Sequence, residues 1–153
     1  METNINTGQE QRRLPIKDGL LTAPLFPLEY VRLLGSKCPA CGEVTLGTTS
    51  SCPNCAGSGL QPIPLANNGT LWTYTVIRNR PPGDFRGPEP FVPFGEGLVE
   101  LPEGIRVLAP LGGNIEELAI GMKMSFEAYK LYQNSDGVQV IAFRFVPSSP
   151  ANK

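Results

Sequence analysis

Two Cys-x-x-Cys pairs, a series of short alternating segments and a composition rich in turn residues predict a mainly β protein. The expected architecture is a small cysteine-held ribbon followed by a five-stranded barrel, with an extended arm in front. All four cysteines lie between Cys38 and Cys55. Downstream, five segments alternate at or near the two-residue period of a strand. The 16 prolines and 17 glycines among 153 residues favour short strands and many turns over long helices.

The ribbon is written KCPACGEVTLGTTSSCPNC. Two residues between thiolates let both sulfurs of a pair face one ion. Pro39 and Pro53 stiffen each turn, and Gly42 accepts the positive φ that follows the second thiolate. The ten residues between the pairs suit a short hairpin turning near Gly47, which would bring the second knuckle against the first. Two disulfides are the competing use of four cysteines. The opening METNINTGQEQRRLP lacks the apolar segment of a secretory signal, so the expected location is the reducing cytoplasm, where disulfides are rare. A redox dithiol usually appears as one pair beside a βαβ pattern, which this sequence lacks. The spacing therefore predicts a rubredoxin-type tetrathiolate site of Cys38, Cys41, Cys52 and Cys55. Zinc is the favoured ion, and iron fits the same four thiolates. Four protein ligands leave no open position for substrate, so the metal is structural.

Composition narrows the function. The chain has no histidine, which removes the commonest general base and every Ser-His or Cys-His nucleophile pair. With the cysteines committed to metal, only carboxylates, lysines and tyrosines are left for independent catalysis, in no visible constellation. A formal net charge of −1 gives no global field toward nucleic acid or an anionic membrane. No apolar run reaches membrane-spanning length.

Along the chain, residues 1–20 are polar and aperiodic and read as a loose tail. Residues 21–36 form an apolar arm and a lead-in strand. Pro24 and Pro27 forbid a long helix there, and Tyr30 to Leu34 reads as a short strand entering the first knuckle. Leu25, Phe26, Leu28 and Tyr30 are candidates either to pack on their own domain or to dock on a partner. The ribbon occupies residues 37–60, and residues 56–68 look like a linker. Residues 61–149 hold the barrel, with strands over 69–77, 95–101, 104–111, 122–132 and 138–146. In the first of these, Trp72, Tyr74 and Val76 share one face, and Leu71, Thr73, Thr75 and Ile77 the other. Residues 114–121 allow one or two helical turns. Five strands with that short segment between the third and fourth fit an OB-type barrel, and a sandwich is the competing architecture.

The loop over residues 78–94, RNRPPGDFRGPEPFVPF, carries five prolines, three arginines and three phenylalanines. A loop this long without its own secondary structure is usually functional or disordered. Prolines lower the entropy cost of holding it in one shape. Either the phenylalanines fold back over the barrel mouth, or the loop inserts into a partner.

The pair CPAC and CPNC, GTLWTYTVI just after them, the Pro/Phe-rich loop and FGEGLVELPEGIRVLAPL together resemble the acyl-CoA-associated zinc-ribbon/OB-fold family, long known only as a domain of unknown function. The resemblance covers about residues 21–146. It implies a small, non-catalytic subunit assembled with a larger thiolase-fold subunit, or with an aldolase or acyl-CoA hydratase partner, and a coenzyme A thioester bound by the complex. On that reading Arg78, Arg80, Phe85, Arg86, Phe91 and Phe94 contact the partner or the acyl-CoA. A single-stranded nucleic-acid-binding OB protein is the rival class, disfavoured because acids slightly outnumber bases in the barrel segment.

Overall fold

The computed structural model describes residues 12–148. Residues 1–11 of the expected tail fall outside this range. Nine strands follow one another: β1 (Arg13–Pro15), β2 (Leu34–Lys37), β3 (Val44–Leu46), β4 (Gln61–Pro64), β5 (Asn68–Ile77), β6 (Phe94–Glu100), β7 (Arg106–Leu111), β8 (Lys123–Gln133) and β9 (Gln139–Pro147). Two single 3-10 turns, Leu28–Tyr30 and Ile115–Glu117, are the helical elements among the described residues. None is long or apolar enough to cross a membrane.

Strands β5 to β9 close on themselves. The order β9-β7-β6-β5-β8 is completed by pairing of β8 with β9. All neighbours are antiparallel except β7 and β9, which meet in parallel where Leu111 faces Phe145, helped by Gly112 N donating to the Phe145 carbonyl at 2.9 Å. That is the closed five-strand arrangement expected of an OB barrel. The anticipated one or two helical turns shrink to the 3-10 turn at Ile115, where the Asn114 side chain accepts from Glu116 N at 2.9 Å. The last hairpin turns on Asn134, whose Oδ1 accepts from Asp136 N and Val138 N at 2.9 and 3.0 Å.

The facing of β5 departs from simple alternation. The register against β6 slips between Leu71 and Thr73, leaving Trp72 as a bulged residue. Leu71 is fully buried, Trp72 is 46% exposed, and Tyr74 packs on the core while its hydroxyl donates to the Leu118 carbonyl at 3.0 Å. Trp72 and Tyr74 therefore do not share a face, because the extra residue reverses the parity of the strand. Beside the bulge, Gly97 brings β6 so close that a Cβ there would lie 2.4 Å from the Thr73 carbonyl oxygen.

Three further segments differ from expectation. Arg13–Pro15, assigned to the loose tail, forms a strand parallel to β9, with Leu14 opposite Val140 and Ile16 N donating to the Ile141 carbonyl at 2.8 Å. The short strand expected over Tyr30 to Leu34 begins only at Leu34 and is preceded by the Leu28–Tyr30 turn. The linker-like stretch contains β4, which pairs with β2 through Leu34 to Lys37.

One core serves both parts. Val31 and Leu33 from the arm and Leu65, the residue after β4, belong to the same buried cluster as Leu71, Val99, Val107, Ile141 and Phe145 of the barrel. Burying each large apolar side chain of this set stabilises the fold by roughly 1.5–3 kcal/mol. Phe126, Phe143 and Phe145 add a cluster of rings with centroids 5.8 to 6.4 Å apart. Leu25 and Leu28 of the arm pack partly against the shared core. Phe26 and Tyr30 remain exposed, with the Arg13 guanidinium 4.3 Å over the Phe26 ring.

Candidate metal centre

The ribbon sheet runs β3-β2-β4. Its hairpin is not the expected one inside the ten-residue spacer. Val44–Leu46 instead folds back on β2, with Thr45 opposite Ser36, so the first knuckle is the tip of a β2–β3 hairpin. Gly47 then turns with φ +82°, its N–H donating to the Leu34 carbonyl at 2.7 Å. Its own carbonyl accepts from the buried Ser36 hydroxyl at 2.7 Å.

Each knuckle repeats the same backbone pattern. Cys38 N donates to the Glu43 carbonyl and Gly42 N to the Cys38 carbonyl, both at 2.9 Å. Cys52 N donates to the Gly57 carbonyl and Ala56 N to the Cys52 carbonyl, both at 2.8 Å. The left-handed residue is Gly42 in the first knuckle and Ala56, at φ 66°, in the second, where an L side chain bears some strain.

These turns bring the four Sγ atoms of Cys38, Cys41, Cys52 and Cys55 within 4.8 Å of one another. Cys38 Sγ lies 3.6 Å from Cys55 Sγ, and Cys41 Sγ 3.6 Å from Cys52 Sγ. A tetrahedral ion with Zn–S bonds of about 2.3 Å sets its sulfurs about 3.8 Å apart, so the donor set fits zinc in identity, number and spacing. Cys38 and Cys52 are buried, while Cys41 and Cys55 are exposed. Asn54 N reaches Cys52 Sγ at 3.3 Å, and the Asn54 side-chain amide crosses to Cys41 Sγ at 3.5 Å.

Proton affinity is uneven among the four. The Asn54 amide, then the Glu43 backbone, pull the Cys41 thiol down to about 6. Cys38 is lowered too, first by the Cys41 backbone N–H. The Gly57 N–H favours the Cys55 thiolate, but the neighbouring Cys38 and Cys41 sulfurs outweigh it and hold that thiol up at about 12. Four thiolates this close repel one another, and a bound dication removes that cost.

The loop residues singled out in the sequence come together, though apart from the cysteines. Phe85, Phe91 and Phe94 form a three-ring cluster with centroids 5.7 to 6.2 Å apart. They pack on one another rather than joining the buried core. Arg80 pairs with Glu89 and Arg86 with Asp84 at 3.2 Å, so two of the three arginines are neutralised within the loop. Arg86 also stacks 4.0 Å over Tyr132 of β8, pinning the loop to the last hairpin. Arg78 makes no ion pair among the described residues. Sequence reasoning missed Tyr132 and Asn54; the one legible hint of the latter was the difference between CPAC and CPNC.

A two-knuckle tetrathiolate ribbon built onto a closed OB barrel defines a class of small zinc-ribbon proteins. The chain belongs to the DUF35 family of that class. Residues 31–61 match the family model described as the ChsH2 rubredoxin-like zinc ribbon domain, and residues 63–128 match the ChsH2 C-terminal OB-fold domain. A DUF35 domain-containing scaffold protein of Methanothermobacter thermautotrophicus is 32% identical over 127 residues, 81% of this chain and 92% of the relative. The benzoylsuccinyl-CoA thiolase subunit BbsA of Thauera aromatica is 27% identical over 114 residues, 74% of either chain. Among solved structures, a chain of the Ltp2-ChsH2(DUF35) aldolase shares the fold with a TM-score of 0.60 at 24% identity, covering 77% of this chain and 86% of that one.

Proposed function

We propose that this chain is the non-catalytic, zinc-binding subunit of an acyl-CoA-handling complex whose larger, thiolase-fold partner carries the chemistry. The observation that carries the reading is chemical. The sequence has no histidine, and all four cysteines converge on one closed site, so the chain has neither the basic histidine nor the free nucleophilic cysteine that thiolase chemistry uses. Relatives named as a thiolase subunit and as a scaffold protein support it. In finer detail, the run LLGSKCPACGEVT, GTLWTYTV and PFGEGLVELPEG resembles the small subunit of benzoylsuccinyl-CoA thiolase. The proposed reaction of the complex is then cleavage of benzoylsuccinyl-CoA with CoA to benzoyl-CoA and succinyl-CoA, in cytoplasmic anaerobic toluene degradation. Other thiolase, thiolase-like aldolase or acyl-CoA hydratase partners are the alternatives. Reconstitution tests this directly. The purified chain alone has no thiolase activity, and activity appears with a co-expressed thiolase-fold partner; turnover by the small chain alone would reverse the roles.

Within that complex the loop over residues 78–94 forms part of the acyl-CoA entrance. Its three-ring cluster offers a pre-assembled apolar surface to a thioester region that must be kept dry. Arg78, outside the loop's internal ion pairs, is the arginine placed to meet a phosphate or a partner carboxylate. Phe91→Ala is expected to cost the complex roughly tenfold in kcat/KM for acyl-CoA, an ordinary loss for a buried aromatic anchor. Zinc content and melting temperature should stay unchanged, and unaltered kinetics with normal assembly would remove the loop from the active site.

Binding of single-stranded nucleic acid is less well supported by the barrel surface. Trp72 is covered by Arg106 at 4.0 Å, itself paired with Glu100 at 3.3 Å. Tyr129 is covered by Arg144 at 4.1 Å, paired with Glu127 at 2.9 Å. Base stacking at either ring would have to displace a neutralised arginine.

A further inference from the structure

The backbone of the metal centre is close to a two-fold repeat. In each knuckle the first cysteine's carbonyl accepts from the residue four positions on, and its N–H donates to the carbonyl five positions on. The backbone two residues on favours the thiolate of the second cysteine in each knuckle, Glu43 for Cys41 and Gly57 for Cys55. Burial follows the same repeat, with Cys41 and Cys55 the two exposed ligands.

One side chain breaks the repeat. Asn54 Nδ2 reaches across from the second knuckle to Cys41 Sγ at 3.5 Å. The matching position of the first knuckle is Ala40, which has no side-chain donor. By the same repeat Ala40 is the position from which a side chain of the first knuckle would reach Cys55; a Cβ built on Gly57 would lie 3.2 Å from Cys55 Sγ, 3.6 Å from Cys38 Sγ and 3.8 Å from the Ala40 Cβ. The two sulfurs open to solvent thus differ in one respect. Cys41 accepts from a side-chain amide of the opposite knuckle, and among the described residues no side-chain amide reaches Cys55.

We propose that Asn54 is a positioning residue that holds Cys41 on the metal, which leaves Cys55 as the ligand through which the ion is lost and electrophiles enter. A hydrogen bond to a thiolate draws charge out of the sulfur lone pair and lowers its nucleophilicity. Because the donor belongs to the opposite knuckle, lifting Cys41 off the ion also breaks a contact between the two knuckles. Cys55 leaves with no such cost. Outer partners of metal ligands commonly change affinity by about 10- to 100-fold, so one side-chain amide is enough to decide the order of release.

The test uses the full zinc-loaded chain. Limiting N-ethylmaleimide followed by peptide mass mapping should find Cys55 modified roughly tenfold faster than Cys41. Asn54→Ala should raise the Cys41 rate to that of Cys55. Ala40→Asn, which gives the first knuckle the missing donor, should slow Cys55. In cobalt-substituted protein, Asn54→Ala should move the sulfur-to-cobalt charge-transfer band to lower energy, because an unbonded thiolate gives up charge more readily. Equal rates at Cys41 and Cys55 in the parent chain would overturn the proposal, as would an unchanged preference in both variants. If Asn54→Ala fails to hold metal, Ala40→Asn decides alone: a Cys55 rate that does not fall overturns it.

Discussion

Cys52→Ser is expected to unfold the ribbon while the barrel stays folded. Cys52 is a buried ligand at the centre of the second knuckle, and its sulfur also accepts from the backbone of Asn54 and Cys55. A structural zinc contributes about 10–16 kcal/mol of binding free energy in zinc-finger peptides near neutral pH. Of the outer strands, β4 is also held by Ile63 and the neighbouring Leu65 on the shared core, whereas β3 brings only Val44 to it. The same outcome should follow from a strong chelator, or from acid, since the thiols must lose their protons to bind metal and falling pH reverses that. Amide exchange checks it. Protection should be lost across Val44–Leu46 and kept across β6 and β9. Undiminished protection of β3 in the variant would mean that the sheet does not depend on the metal.

Gly97→Val should damage the barrel instead. A Cβ at this position meets the Thr73 carbonyl oxygen at 2.4 Å and the Tyr74 Cβ at 2.8 Å. Both belong to the strand next door, so neither can yield without moving β5 at its bulge. A loss of about 3 kcal/mol is expected, in the range of overpacked cores, lowering the melting temperature by roughly 10 °C. Gly104→Ala is the control. Its Cβ would meet nothing within 4 Å and its φ is +95°, so it should cost only the conformational penalty of about 1 kcal/mol. Equal melting temperatures for the two variants would show that the close approach of β6 to β5 is not what requires glycine.

What could be read in the sequence was whatever a short window contains. Cys38, Cys41, Cys52 and Cys55 carry their purpose in their spacing, and the five barrel strands carry theirs in alternation. What escaped depends on residues far apart. β1 is three residues long, too short to show a period, and its partner β9 begins at Gln139. β4 contains Pro62 and Pro64, which argue against a strand, yet it pairs at a sheet edge where proline is tolerated. The bulge at Trp72 reverses the facing of a strand whose pattern looked regular, because it answers to the approach of Gly97 on the next strand. For the loop arginines the sequence left two uses open, a ligand or partner and the carboxylates of the same loop, and only the fold shows Arg80 and Arg86 closed on Glu89 and Asp84.

The core shared by the arm, the residue after β4 and the barrel wall bears on assembly. Val31, Leu33 and Leu65 are all but fully buried among barrel residues, Leu65 N donates to the Leu33 carbonyl at 2.8 Å, and the Glu103 carboxylate in the β6–β7 turn accepts from Ala66 N at 2.9 Å. The junction therefore has no slack to lose. A surface that engages the ribbon finds the barrel already at fixed distance and angle, at an effective concentration that a flexible tether could not reach. The second contact is made without a further loss of rotational freedom. In the proposed complex, ribbon and barrel would act toward the larger subunit as a chelating pair, and loosening the junction would then weaken assembly without altering a single contacting residue.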